Sequence, residues 1–241
     1  MTARRAAPAK PAYHHGALRK TLLEASLRVI ESDGVQALSL REVARRAGVT
    51  HGAPYHHFKD KQALLDAIAE EGFSQLRDAM IAARTLRTRA DERLAVIGRA
   101  YVRFAVENAG YFQIMFRPAA TLATARGPAG GQAFQVLVET VAEAQREGLA
   151  PRGDPEPLVL MAWSAVHGLA SLWIDGALRG QYGDAETVAS EVAGQLTGLL
   201  ARLFAAGGRV GRHPRGPAQA DGGGARKPGA AGSGRRAPMR R

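Results

Sequence analysis

Apolar positions recur at three- and four-residue intervals along most of the chain, and no two-residue alternation of strand type competes with them. Leu18, Leu22, Ala25 and Val29, joined by Ile30, form one such stripe that stops at Asp33-Gly34. This predicts a first helix over roughly 15–32. Ser39-Leu40-Arg41-Glu42 has the pattern of a capping box, in which the serine hydroxyl accepts from the amide three residues on and the glutamate reaches back. Behind it Leu40, Val43, Ala44 and Ala47 line one face, Arg41, Arg45 and Arg46 lie outside, and Gly48 supplies the left-handed stop. Only Val49 separates that glycine from Thr50, a good N-cap for a further helix to about His57. Two short helices joined so tightly make a helix-turn-helix over about 39–58. Pro54 removes an amide four residues past the cap, so an irregular first turn is expected there.

Asp60 caps a longer helix with Leu64, Leu65, Ile68 and Leu76 on its inner side. Helical patterns continue at about 90–109, 110–117, 129–149, 155–179 and 184–206, separated by Gly/Pro segments such as "RGPAGG" and "GLAPRGDP". The fold class is therefore all-α: a small helix-turn-helix domain (13–76) followed by a larger helical body (77–207). Residues 1–12 form a basic arm and residues 208–241 a Gly/Pro/Arg-rich tail, both expected to be disordered.

Composition agrees: hydrophobic residues reach 46% but aromatics only 6%, which favours a helical interior. The absence of cysteine removes disulfides, thiolate metal sites and cysteine nucleophiles. The basic N-terminus is followed by Ala and Pro, and no continuous run of about 18 apolar residues occurs, so a cytoplasmic protein with no membrane partner is expected. The formal charge of +11 is concentrated at the ends, +5 in residues 1–20 and +8 in 208–241, which leaves the body at −2. Basic ends on a near-neutral body point to a polyanion, most simply nucleic acid; basic tails that only confer solubility are the alternative.

A helix that enters a major groove needs short or polar side chains in its first turn, then longer donors for base edges and phosphates. Thr50, His51, Gly52 and Ala53 supply the first, and Tyr55 and His56 the second. Lys61, at a helix start, offers an ammonium and nearby amides to phosphate, and Ser39 and Arg41 stand where they can clamp the flanking backbone. The histidines at 14, 15, 51, 56 and 57 do not make a metal site, since adjacent His56 and His57 point about 100° apart on a helix. No Walker loop, GxSxG elbow, HExxH or dinucleotide fingerprint is present, so no enzyme, catalytic residue or cofactor is expected.

Residues 13–68, "YHHGALRKTLLEASLRVIESDGVQALSLREVARRAGVTHGAPYHHFKDKQALLDAI", closely resemble the N-terminal domain of TetR-type bacterial transcriptional regulators. The turn Gly-Val-Thr, the following Tyr and Phe-Lys-x-Lys carry the likeness. The sequence departs from the commonest pattern at Pro54, where Leu is usual, and at His51, where Lys is frequent. "YFQIMFRP" (111–118) and "WSAVHGLASLWIDG" (163–176) resemble the regulatory domain of a subgroup named for its Trp-His-Gly region. The resemblance implies a Tyr55 hydroxyl on phosphate, a palindromic double-stranded DNA operator, and a small-molecule effector. It also implies a homodimer in which the last two helices pair with their symmetry mates.

For the body, an effector pocket lined by Phe112, Met115, Phe116, Phe134, Met161, Trp163 and His167 stands beside the plainer alternative that these residues are ordinary core. The apolar faces at Leu158, Met161, Ala165, Leu169, Leu172 and at Val188, Val192, Leu196, Leu199, Leu203 exceed what one small body buries. The expected function is a ligand-released, operator-specific repressor. The alternative is an architectural chromosome-binding protein that works mostly through its basic tails.

Overall fold

The computed structural model describes residues 14–85, 90–117 and 127–210; the expected basic arm and most of the expected tail lie outside them. All regular structure among the described residues is helical. Helix α1 (His14–Asp33) buries Leu22, Ala25, Val29 and Ile30 of the stripe read from the sequence, with Leu18 half-buried at its start, against α2 (Leu40–Ala47) and the start of α3 (Lys61–Thr85). Gly48 ends α2 at φ 68°, where a side chain is disfavoured.

Helix α3 is one unbroken helix of 25 residues, so it runs across the domain boundary expected at 76/77. Its first half buries Leu64, Leu65 and Ile68 under the helix-turn-helix, and its second half carries Phe73, Leu76 and Met80 into the larger body. There α4 (Ala90–Glu107) is central: it packs on α3, on α6 (Pro128–Arg146), on α7 (Glu156–Ile174) and on α8 (Ala193–Val210). The short α5 (Ala109–Met115) sits between α3 and α4. Helix α8 is preceded without a break by a turn at Ala185–Thr187 and a wider π-type segment at Val188–Val192, which buries Val188 and Ala189. It continues to Val210, three residues into the segment expected to be a tail.

Charged pairs tie the layers together. Arg84 of α3 and Arg93 of α4 both meet Glu143 of α6, and Arg103 of α4 makes two 2.8 Å bonds to Glu186. Helix α7 is long and apolar enough to cross a membrane by length and composition alone, with a mean hydropathy of 1.5. Its residues are divided among the core (Val159, Ala162, Val166, Ala170), a cavity wall and an exposed face.

Candidate functional site

Two regions gather the candidate residues: the turn after α2 and a cavity in the helical body. Ser39 caps α2 as its sequence predicts, accepting from the Glu42 amide at 3.1 Å. The reciprocal half of the box is absent, because the Glu42 carboxylate is taken by Arg45 at 2.8 and 2.5 Å and by Arg46 at 3.2 Å. The bond from Arg45, with Arg46 adding to it against a desolvation push the other way, holds the Glu42 pKa down to about 2. Arg46 also pairs with Asp33, which ties α1 to α2 and completes a network of two acids and two guanidinium groups. Arg41 remains exposed with no partner among the described residues.

The segment expected to be an α-helix from Thr50 to His57 is instead two tight turns and a 3-10 helix, Ala53–His56. Ala53 donates to the Thr50 carbonyl, Tyr55 to Gly52 and His57 to Pro54, at 2.9 to 3.1 Å, each a three-residue step. Pro54 is the physical cause: it has no N–H to give to the Thr50 carbonyl, so the four-residue ladder cannot begin there. Pro54 and Phe58 point inward and are buried, and the Arg19 guanidinium lies 5.8 Å from the centre of the Phe58 ring. Thr50, His51, Gly52, Tyr55 and His56 are exposed and Ala53 is half-buried. Tyr55 presents 53% of its surface, and a Cβ at Gly52 would meet nothing, so the backbone here is open to close approach.

Lys61 is placed differently from expectation. Its ammonium is half-buried and donates to the Val35 and Gln36 carbonyls at 3.2 and 3.5 Å, holding the α1–α2 connection to the start of α3. Lys59, two residues earlier, is exposed without a partner among the described residues. It was overlooked although it is the first lysine of the Phe-Lys-x-Lys signature.

The cavity has a volume of about 460 Å³, within the range of small-molecule sites. Phe73, Leu76 and Met80 of α3 form one wall, and Ile97, Gly98 and Tyr101 of α4 another; α6, α7 and α8 close it with Phe134, Trp163 and Thr197 among others. Phe116, which caps α5, also lines it. Of the residues named from sequence, then, Phe116, Phe134 and Trp163 face the cavity.

The other four do not line it. Phe112 and Met115 point into the closed core, where Met115 has no exposed surface, and Met161 lies outward on α7 with 42% exposed. His167 stands behind the wall: its Nδ1 is 2.8 Å from the Tyr101 hydroxyl, and its ring lies 4.6 Å from Phe116 and 5.4 Å from Trp163. Against the larger effect of burial, the nearby Trp163 indole pulls the Tyr101 pKa slightly down. Burial pushes the Tyr101 pKa up and the His167 pKa down, so both are neutral in this relay. Gly98, Tyr101 and Thr197 were missed from sequence because isolated small or polar residues on a helical stripe carry no pocket signal.

Comparison with known proteins places both regions. Residues 22–68 match the model of "Bacterial regulatory proteins, tetR family", and residues 94–196 match that of "Tetracyclin repressor-like, C-terminal domain". The BetI transcriptional regulator of Klebsiella pneumoniae is 43% identical over 63 residues, 26% of this chain and 32% of that protein, so the likeness to such curated relatives spans about a third of their length. A Rhodococcus sp. RHA1 protein of unknown function is 37% identical with a TM-score of 0.64, over 80% of this chain and 100% of its own. The FadR regulator of Bacillus subtilis, solved in complex with stearoyl-CoA, shares the fold at 19% identity and a TM-score of 0.64, over 76% of this chain and 97% of its own. With both its helix-turn-helix and its helical body matched, the chain belongs to the TetR family of bacterial regulatory proteins.

Proposed function

We propose that the protein is a cytoplasmic, dimeric repressor that reads a palindromic operator with the exposed segment Thr50–His56 and leaves it when a small molecule fills the cavity. The observation that carries this reading is the joint use of α3, which supports the helix-turn-helix at one end and walls the cavity at the other. Thr50, His51, Gly52 and Ala53 meet base edges in the major groove, while Tyr55, His56, Ser39 and Arg41 hold phosphates on either side. Lys59 joins them, and Lys61 reaches phosphate only by releasing the Val35 carbonyl.

The dimer forms through the outer faces of α7 and α8. Leu172, Leu199 and Leu203 are half or more exposed and Met161 little less, and each helix repeats them at whole-turn spacing, which is costly for a lone protomer in water. The two reading segments then meet successive major grooves on one side of the duplex. An effector acts only through a difference in affinity between the form that fits the operator and the form that does not. Its route is short: Phe116 lines the cavity, and the adjacent Arg117 lies 3.4 Å from Asp66 on the DNA-proximal half of α3.

The test is selection of bound sequences from random duplex DNA at near-physiological salt, with wild type and Tyr55→Ala in parallel. A palindrome recovered by wild type and lost in the variant is expected. Equal, unselective binding by both proteins refutes operator reading and returns the function to the basic tails.

A further inference from the structure

We propose that the cavity is built for an uncharged, hydrocarbon-rich molecule, and that it discriminates against both carboxylates and amines of the same size. The inference rests on the cavity being the effector site. It begins with the polar groups in the wall, which are few and already engaged. The Tyr101 hydroxyl is paired with His167 Nδ1 at 2.8 Å, and the Thr197 hydroxyl donates to the Ala193 carbonyl at 2.7 Å. The Thr197 proton is spent on that carbonyl and the Tyr101 hydroxyl is shared with the imidazole, so neither offers an anion a charged donor or an ammonium a charged acceptor.

No lysine or arginine lines the cavity among the described residues. The single charged residue there, Glu156, is exposed in the first turn of α7, where the helix end already favours an acid. His167, behind the wall, is kept neutral by burial. An ion drawn inside would therefore lose its water and gain no charged partner, an unfavourable burial. An anion at the mouth would in addition face Glu156, and an ammonium there would meet an acid still surrounded by water, which screens it.

Phe134 and Leu160 are the partly exposed rim, so the entrance too is apolar. A cavity of about 460 Å³ is roughly fifteen water volumes, which suits a compact ligand of some ten to twenty non-hydrogen atoms.

The experiment titrates the full-length protein with 1-decanol, decanoate and decylamine, each below its micellar concentration, by calorimetry. These three probes share one chain and differ only in the charge of the head. Decanol binding at least about tenfold tighter than either ion is expected, with Ala133→Phe abolishing it by filling the cavity while the melting temperature shows the fold intact. Decanoate or decylamine binding as tightly as decanol, or no decanol binding at all, overturns the inference.

Leu160→Arg supplies a second check at an exposed rim position that tolerates change. It should raise decanoate affinity several-fold, and no change there also counts against the argument. Operator release is read separately. Decanol bound without release leaves the cavity chemistry standing and removes the effector role, whereas release by an ion without decanol binding does the reverse.

Discussion

Gly98 lies where α4 crosses α7 and α8, and a Cβ built there would sit 2.7 Å from Thr197 Cγ2 and 3.3 Å from Val166 Cγ1. Thr197 is only 2% exposed, and its hydroxyl is fixed on the Ala193 carbonyl at 2.7 Å. Its β-branched side chain has little rotamer freedom in a helix, so the methyl cannot swing aside without breaking that bond. Gly98→Ala thus forces two helices apart. Overpacking of this kind costs about 1–3 kcal/mol. Replacing glycine in a helix interior returns about 1 kcal/mol, so the net loss is about 1 kcal/mol.

Thr197→Ser removes the obstructing methyl and keeps the hydroxyl. Alone it should lose about 1 kcal/mol, as deletion of one buried methyl usually does. Combined with Gly98→Ala, the new methyl occupies the space that the old one left, and stability should return to within about 0.5 kcal/mol of wild type. The coupling between the two sites is then about 2 kcal/mol, well above the scatter of independent mutations. Urea unfolding followed by circular dichroism measures it, with the protomer concentration held fixed because a dimer's stability depends on it. A double variant equal to the sum of the singles, or Gly98→Ala alone gaining the full helical benefit, refutes the close crossing.

A pH effect is expected at Glu42. Its carboxyl is depressed in the fold from 4.5 to about 2, so the stability it contributes is fully present above 4.5 and is lost as the pH falls through about 2. The difference in unfolding midpoint between wild type and Glu42→Gln should be constant above 4.5 and close below it; a gap that persists in acid contradicts the assignment. Tyr101→Phe keeps the ring but leaves His167 Nδ1 without its partner, a loss of about 1–3 kcal/mol readable by thermal denaturation. Phe58→Ala empties the space under the reading turn and removes the ring beside Arg19, which should cost about 3–5 kcal/mol and abolish DNA retention. An unfolding curve shifted by less than 1 kcal/mol would show that this ring is not the support of the turn.

The helix-turn-helix was legible because its signals are local. The stripe Leu40, Val43, Ala44 was paired with a cap at Ser39 and a stop at Gly48, and all three features recur in the fold. The segment after Thr50 was harder: the cap and spacing favour an α-helix, and only the missing amide of Pro54 decides for the tighter form. Lys61 looked like a phosphate ligand because sequence shows a free cation but not the Val35 carbonyl folded back onto it from 26 residues away.

The cavity was the least legible part. Phe112 and Phe116 are four residues apart and equally apolar, yet Phe112 is sealed in the core against Tyr101 and His167 while Phe116 faces the open space beside Phe73 and Trp163, a difference set by tertiary packing rather than by residue type. The wall residues Gly98 and Thr197 give nothing away in sequence, since their importance lies in a crossing between segments about a hundred positions apart.

The continuity of α3 restricts how such a protein can change in length. Within that helix each inserted or deleted residue turns everything beyond it by about 100° and moves it by about 1.5 Å along the axis. From Lys61 to Thr85 the helix spans about 37 Å, with the reading turn fixed at one end and the chamber at the other. A single-residue insertion between Ile68 and Phe73 would leave both halves foldable but out of phase. Exchange of the reading module between such proteins must therefore keep whole turns across this stretch, or make its joint after Thr85.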